Sequence, residues 1–110
     1  MNKFCTTIEQ SKKLIELGID VNTADMYWWY GGKIYYVEAI DDGDFNKESD
    51  TPAWSLSALL KLISNWQMQT QDNGIGILYC CKEEIKIIEG ETPLDAAFQM
   101  VVWLKENGKI

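Results

Sequence analysis

Residues 51–63, TPAWSLSALLKLI, constrain the fold more than any other part of the chain. Thr51 is a helix-capping residue, and Pro52 suits the first helical position because its missing N–H would have no partner there. Leu56, Leu59, Leu60 and Ile63 follow at i, i+3, i+4 and i+7, an apolar stripe along one side of a helix. The segment lies mid-chain with strand-like runs on both sides. It predicts a central helix that forms the spine of one core.

The run before it, MYWWYGGKIYYVEAI, is the most unusual in the chain. Gly31-Gly32 between two aromatic and β-branched runs is the signal of a two-residue hairpin turn. That turn sets Tyr30 opposite Lys33, Trp29 opposite Ile34, Trp28 opposite Tyr35 and Tyr27 opposite Tyr36. Alternation then gives one face of Met26, Trp28, Tyr30, Tyr35 and Val37, with Lys33 at its tip. The other face holds Tyr27, Trp29, Ile34, Tyr36 and Ile40, with Glu38 its one charge. A hairpin with one wet side would alternate apolar and polar. Here both faces are largely apolar or aromatic, so both are expected to be covered.

The flanking segments complete an α+β pattern. Thr6 or Thr7, with Glu9 or Gln10 three residues on, can form a capping box for a first helix that ends at Gly18. Ile8, Leu14, Ile15 and Leu17 give that helix an apolar side, and residues 22–25 read as a turn. After the central helix, Trp66 and Met68 alternate with Gln67 and Gln69. Asp72-Asn73-Gly74 is a turn signal, residues 75–81 form an apolar strand, Lys82-Glu83-Glu84 reads as a turn, and residues 85–89 form the last strand. Thr92-Pro93 repeats the capping device, with Asp95 in the first turn, where the helix dipole favours a carboxylate. Leu94, Ala97, Phe98, Val101 and Leu104 make a core stripe, and Gly108 ends the helix. The expectation is a single domain over residues 1–110, order α-β-β-α-β-β-β-α. Short turns between strands imply an antiparallel sheet of about five strands packed by three helices.

Composition narrows the chemistry. The net charge is −7, from 17 acidic and 10 basic residues, and every basic residue is Lys. Scattered lysines do not make a phosphate-backbone site, so nucleic-acid binding is not expected; an acidic surface suits solubility or a basic partner. There is no leader pattern and no apolar run of the length a membrane span requires. Cys5, Cys80 and Cys81 are an odd number with no metal-type spacing, which implies reduced thiols in a cytoplasmic protein. Histidine and arginine are both absent, removing the commonest general base and the bidentate anion clamp. No cofactor motif occurs. Asp42, Asp44 and Asn46 imitate the start of a calcium loop. Lys47 then stands where the loop needs Gly, and Ala53 where it needs Glu, so no metal is expected.

The remaining signal is aromatic. On an ideal helix Trp54 lies about 160° from Leu56, and Trp103 lies about 180° from Leu94. Ala96, Met100 and Trp103 form a second, weaker stripe on the last helix. Either each Trp folds back over a neighbouring segment, or it belongs to an interface, where Trp and Tyr are enriched. The candidate interaction surface is therefore Trp28, Trp29, Tyr35, Tyr36, Trp54, Met100 and Trp103.

The segments TTIEQSKKLIELGIDVNTADM, TPAWSLSALLKLI and LDAAFQMVVWLKENGKI together resemble a group of small uncharacterised proteins of gut Bacteroides genomes and their phages or other mobile elements. Residues 66–89 match less well. The resemblance implies a bacterial or phage cytoplasmic setting, with Trp54 and Trp103 part of the pattern, and it transfers no catalytic residue. The function these observations favour is a non-enzymatic interaction module. Its partner would be another protein or a second copy of the chain, as in a homodimer, with no membrane and no cofactor. The alternatives are a small-molecule or sugar-binding domain built on the same aromatics, and an enzyme using acidic residues.

Overall fold

Helix α1, Ile8–Glu16, begins at the capping box: the Gln10 amide donates to Thr7 Oγ1 (3.1 Å) and the Thr7 amide to Gln10 Oε1 (3.0 Å). Gly18 takes the left-handed conformation, φ 92°, that closes the helix. The amides of Ile19 and Gly18 then satisfy the free carbonyls of Leu14 and Ile15. The computed structural model describes residues 4–33, 35–40, 50–80 and 86–110. It divides into two compact units, Met1–Ser55 and Leu56–Ile110. The fold is mixed α+β, with three helices among the described residues.

In the first unit, strands β1 (Met26–Tyr30), β2 (Tyr35–Ala39) and β3 (Thr51–Ala53) form an antiparallel sheet of order β2-β1-β3. The expected hairpin register is two residues out. Tyr30 pairs with Tyr35, Trp29 with Tyr36, Trp28 with Val37 and Tyr27 with Glu38. Of the two turn glycines only Gly32 has positive φ (96°), whereas a two-residue hairpin turn requires it at the first position (type II′) or at both (type I′). A slip of two residues keeps every side chain on its original face, so the division into faces survives. Ile34 lies outside the described residues, as do residues 41–49 with the calcium-like loop, and residues 81–85 with Cys81 and the Lys82-Glu83-Glu84 turn.

Thr51 and Pro52 do not cap a helix. They belong to β3, which supplies β1 with its second neighbour, pairing Met26 with Ala53 and Trp28 with Thr51. The Ile40 amide donates to the Asp25 carbonyl (2.9 Å), and that bond fixes the phase of the ladder. Tyr27 and Trp29 turn their backbone groups toward β2, so Met26 and Trp28 turn theirs toward β3. Pro52, opposite Tyr27, falls at a position that makes no ladder bond, on an edge strand, where a missing N–H costs nothing.

A buried polar cluster joins this sheet to α1. The Thr6 amide donates to the Trp54 carbonyl (2.9 Å), and the Trp54 amide donates back to Thr6 Oγ1 (3.1 Å). Thr6 Oγ1 also shares a hydrogen bond with Ser11 Oγ (2.7 Å), and the Trp54 indole donates to Thr23 Oγ1 (2.9 Å). Cys5, Thr6, Ser11, Leu14, Tyr27, Ala53 and Trp54 are all buried. Asp25 ties down the end of the unit, accepting from both the amide and the hydroxyl of Ser55.

The second unit opens with α2, Leu56–Lys61, a helix of six residues, shorter than the helix from Pro52 to Ile63 that the sequence pattern predicts. Strands β4 (Gln67–Thr70), β5 (Gly76–Cys80) and β6 (Lys86–Gly90) form a second antiparallel sheet of order β4-β5-β6. Among the described residues two three-stranded sheets thus stand in place of the single sheet of about five strands, and the order is α-β-β-β-α-β-β-β-α. Helix α3, Pro93–Glu106, is capped by Thr92 Oγ1 accepting from the Asp95 amide (3.1 Å) and is closed by Gly108. It lies directly on its sheet. A Cβ at Gly76 would stand 2.5 Å from Pro93 Cα, and one at Gly90 would stand 2.8 Å from Ala96 Cα.

Candidate functional site

The structure sorts the candidate aromatics by what holds them. Trp54, the residue placed on a helix surface by the sequence pattern, precedes α2 and is 0 % exposed within the polar cluster. Met100 is also fully buried. Neither contributes to an exposed surface. Ala96 meets Gly90 on β6, and Lys86 Nζ of the same strand lies 5.0 Å from the Trp103 ring centroid. Met100 lies between them in helical spacing, so the second stripe of α3 is the side that rests on the sheet. Trp103 is half-buried there, with Lys109 Nζ at 5.8 Å making a second cation–π contact.

The hairpin is different. Trp28 is half-buried, and its indole donates to the Thr6 carbonyl (2.9 Å), so it anchors one face of the sheet. Trp29 is half-buried and stacks on Tyr36 with centroids 4.7 Å apart and planes at 25°. Its indole Nε1 is buried with no hydrogen-bond acceptor among the described residues. Tyr27 is buried, and its hydroxyl donates to Glu38 Oε2 (3.0 Å). Outward of these, Tyr30, Tyr35 and Tyr36 are 58 %, 53 % and 44 % exposed. Tyr30 and Tyr35 form a tilted pair at 5.0 Å, and the Tyr30 hydroxyl is held by the Gly32 carbonyl (2.9 Å). The hairpin base is therefore packed, and its tip and β2 present aromatic surface.

Strand β2 is also an open edge. Among the described residues it has β1 on one side only, and four of its five residues are exposed. The ladder phase directs the backbone groups of Tyr36 and Glu38 to β1, so the N–H and C=O of Tyr35, Val37 and Ala39 point outward. Sequence reasoning selected Tyr35 and Tyr36 but not Tyr30, Glu38 or the edge itself. The edge depends on strand order, which no local pattern records.

In the second unit, Leu56, Ser57, Leu60, Lys61 and Trp66 line an open groove of about 550 Å³. Leu56 and Leu60 sit on the stripe that the sequence assigned to the core. The six-residue helix leaves them half-buried, beside an exposed Trp66. Among the described residues no three His, Cys, Asp or Glu side chains converge as a metal site, and no helix is long and apolar enough to cross a membrane. The Cys5 side chain is buried.

The chain matches no family model, no curated protein and no solved structure.

Proposed function

We propose that the protein is a non-enzymatic interaction module that engages a partner protein through the exposed edge of its aromatic hairpin. The observation that carries this reading is β2 itself, a strand with no second neighbour among the described residues and with exposed Tyr35 and Tyr36. Natural sheets blunt such edges with charge, proline or a covering segment. Tyrosine is a hot-spot residue at interfaces because it brings rigid contact area and a polar tip together. The setting implied by the family resemblance, the cytoplasm of a bacterial host and a phage or mobile-element origin, is part of the proposal.

The test places a photo-crosslinking residue at Tyr35 in the expressed protein, with the same residue at Gln69 on β4 as the control. Specific adducts at residue 35 and none at residue 69 are expected. Equal or absent adducts at both positions remove the reading. The groove beside Trp66 supports a second reading, an apolar small-molecule site. A ligand screen read by Trp66 fluorescence, with Trp66→Phe as the blank, tests it.

A further inference from the structure

We infer that the partner segment is an extended, basic strand that adds to β2, with Lys or Arg at alternate positions and apolar residues between them. The inference rests on the interaction reading above and specifies its partner. Three observations carry it. The outward N–H and C=O groups of Tyr35, Val37 and Ala39 repeat at every second residue, which is the spacing an added strand uses. The two faces flanking that edge differ in chemistry. Tyr35, Val37 and Ala39 line one side and offer aromatic and aliphatic surface. Tyr36 and Glu38 line the other side, a π-face and a carboxylate in adjacent same-face positions. A cationic side chain there meets the Tyr36 ring and the Glu38 carboxylate together, and each favours it. The third observation is charge. The chain carries −7, so a basic segment is drawn to it, whereas a second copy brings the same negative charge to the same edge.

The pattern is therefore cationic residues on the Tyr36–Glu38 side and apolar residues on the Tyr35–Val37 side, alternating along one strand. The experiment is a fluorescence-anisotropy titration of the full chain with three end-capped peptides of equal length, built from Lys-Val, Thr-Val and Glu-Val repeats. The Lys-Val peptide is expected to bind at least about tenfold more tightly than the Thr-Val peptide, and the Glu-Val peptide not to bind. Glu38→Gln is expected to weaken the Lys-Val peptide by about tenfold. Ala39→Pro removes one outward N–H without breaking a bond to β1, and is expected to abolish binding. Amide exchange on the unmodified protein gives an independent reading, with Tyr35, Val37 and Ala39 slowing when the Lys-Val peptide is added.

Equal binding of the Lys-Val and Thr-Val peptides overturns the basic partner while leaving the interaction edge in place. Binding that survives Ala39→Pro and leaves the three amides unprotected overturns strand addition. No peptide binding, alongside specific crosslinks at residue 35, leaves the proposed function standing and removes this inference. A homodimer by light scattering that Ala39→Pro dissociates also removes it, because a second copy then fills the edge.

Discussion

Gly90→Ala tests the seating of α3 on its sheet. Gly90 does not have positive φ, so alanine is conformationally allowed there. Considered alone, the change restricts the unfolded chain and would stabilise the protein by about 0.4–1 kcal/mol. The added methyl would stand 2.8 Å from Ala96 Cα and 2.9 Å from the Asp95 carbonyl carbon, and closer still to the Ala96 nitrogen. Carbon pairs rest at about 3.5–4.0 Å, so the helix must retreat by about 1 Å. The atoms it meets are backbone, and no rotamer change relieves them. Overpacking of this kind costs about 1–3 kcal/mol and outweighs the chain-entropy gain, leaving a net loss of about 1–2 kcal/mol. Because the collision is with the Ala96 backbone, adding Ala96→Gly is expected not to rescue the variant, and glycine inside a helix costs about 1 kcal/mol more. Urea unfolding of the four proteins in this cycle measures both expectations, with unchanged m values as the condition for reading midpoints as stability. A neutral or stabilised Gly90→Ala, or rescue by Ala96→Gly, would refute the close approach of α3 to β6.

Three further outcomes follow from the hydrogen bonding and burial. Trp28→Phe, Trp29→Phe and Trp54→Phe each remove an indole N–H, but of the three only the Trp28 and Trp54 indoles donate to protein groups among the described residues. Thermal unfolding is expected to show Trp29→Phe as the mildest of the three by about 1 kcal/mol, since it also removes a buried donor with no acceptor among the described residues. Thr92→Ala, which deletes the side-chain cap of α3, is expected to cost about 1 kcal/mol by urea denaturation, and Thr92→Ser to restore most of it. Tyr35→Ser with Tyr36→Ser is expected to shift the melting temperature little, because both rings are exposed, while eliminating adducts from a crosslinking residue placed at Ala39.

The chain termini of both outer helices were readable from residue identity. Capping depends on atoms within four or five residues of one another, so Thr7-Gln10, Gly18, Thr92-Pro93 and Gly108 carry their own instructions. The hairpin and its two faces were readable for the same reason, because alternation is local and a two-residue slip preserves it. What residues 51–56 become was not readable. Thr-Pro is as good an edge strand as a helix start, and only the open side of β1 decides between them. That choice moves Trp54 from a helix surface into a buried cluster with Thr6 and Ser11, its indole reaching the exposed Thr23, and periodicity assigns none of these polar residues to a core. The second stripe of α3 shows the same dependence. Ala96 is small and Gly90 smaller, so the stripe scores as weak, yet their smallness lets the helix lie on the sheet and bury Met100. The sequence by itself determined where helices α1 and α3 begin and end, how the hairpin divides into faces, and the acidity of the chain. Tertiary structure decided which aromatics are core and that β2 stands at the edge of its sheet among the described residues, because burial and edge position are properties of strand order and long-range packing.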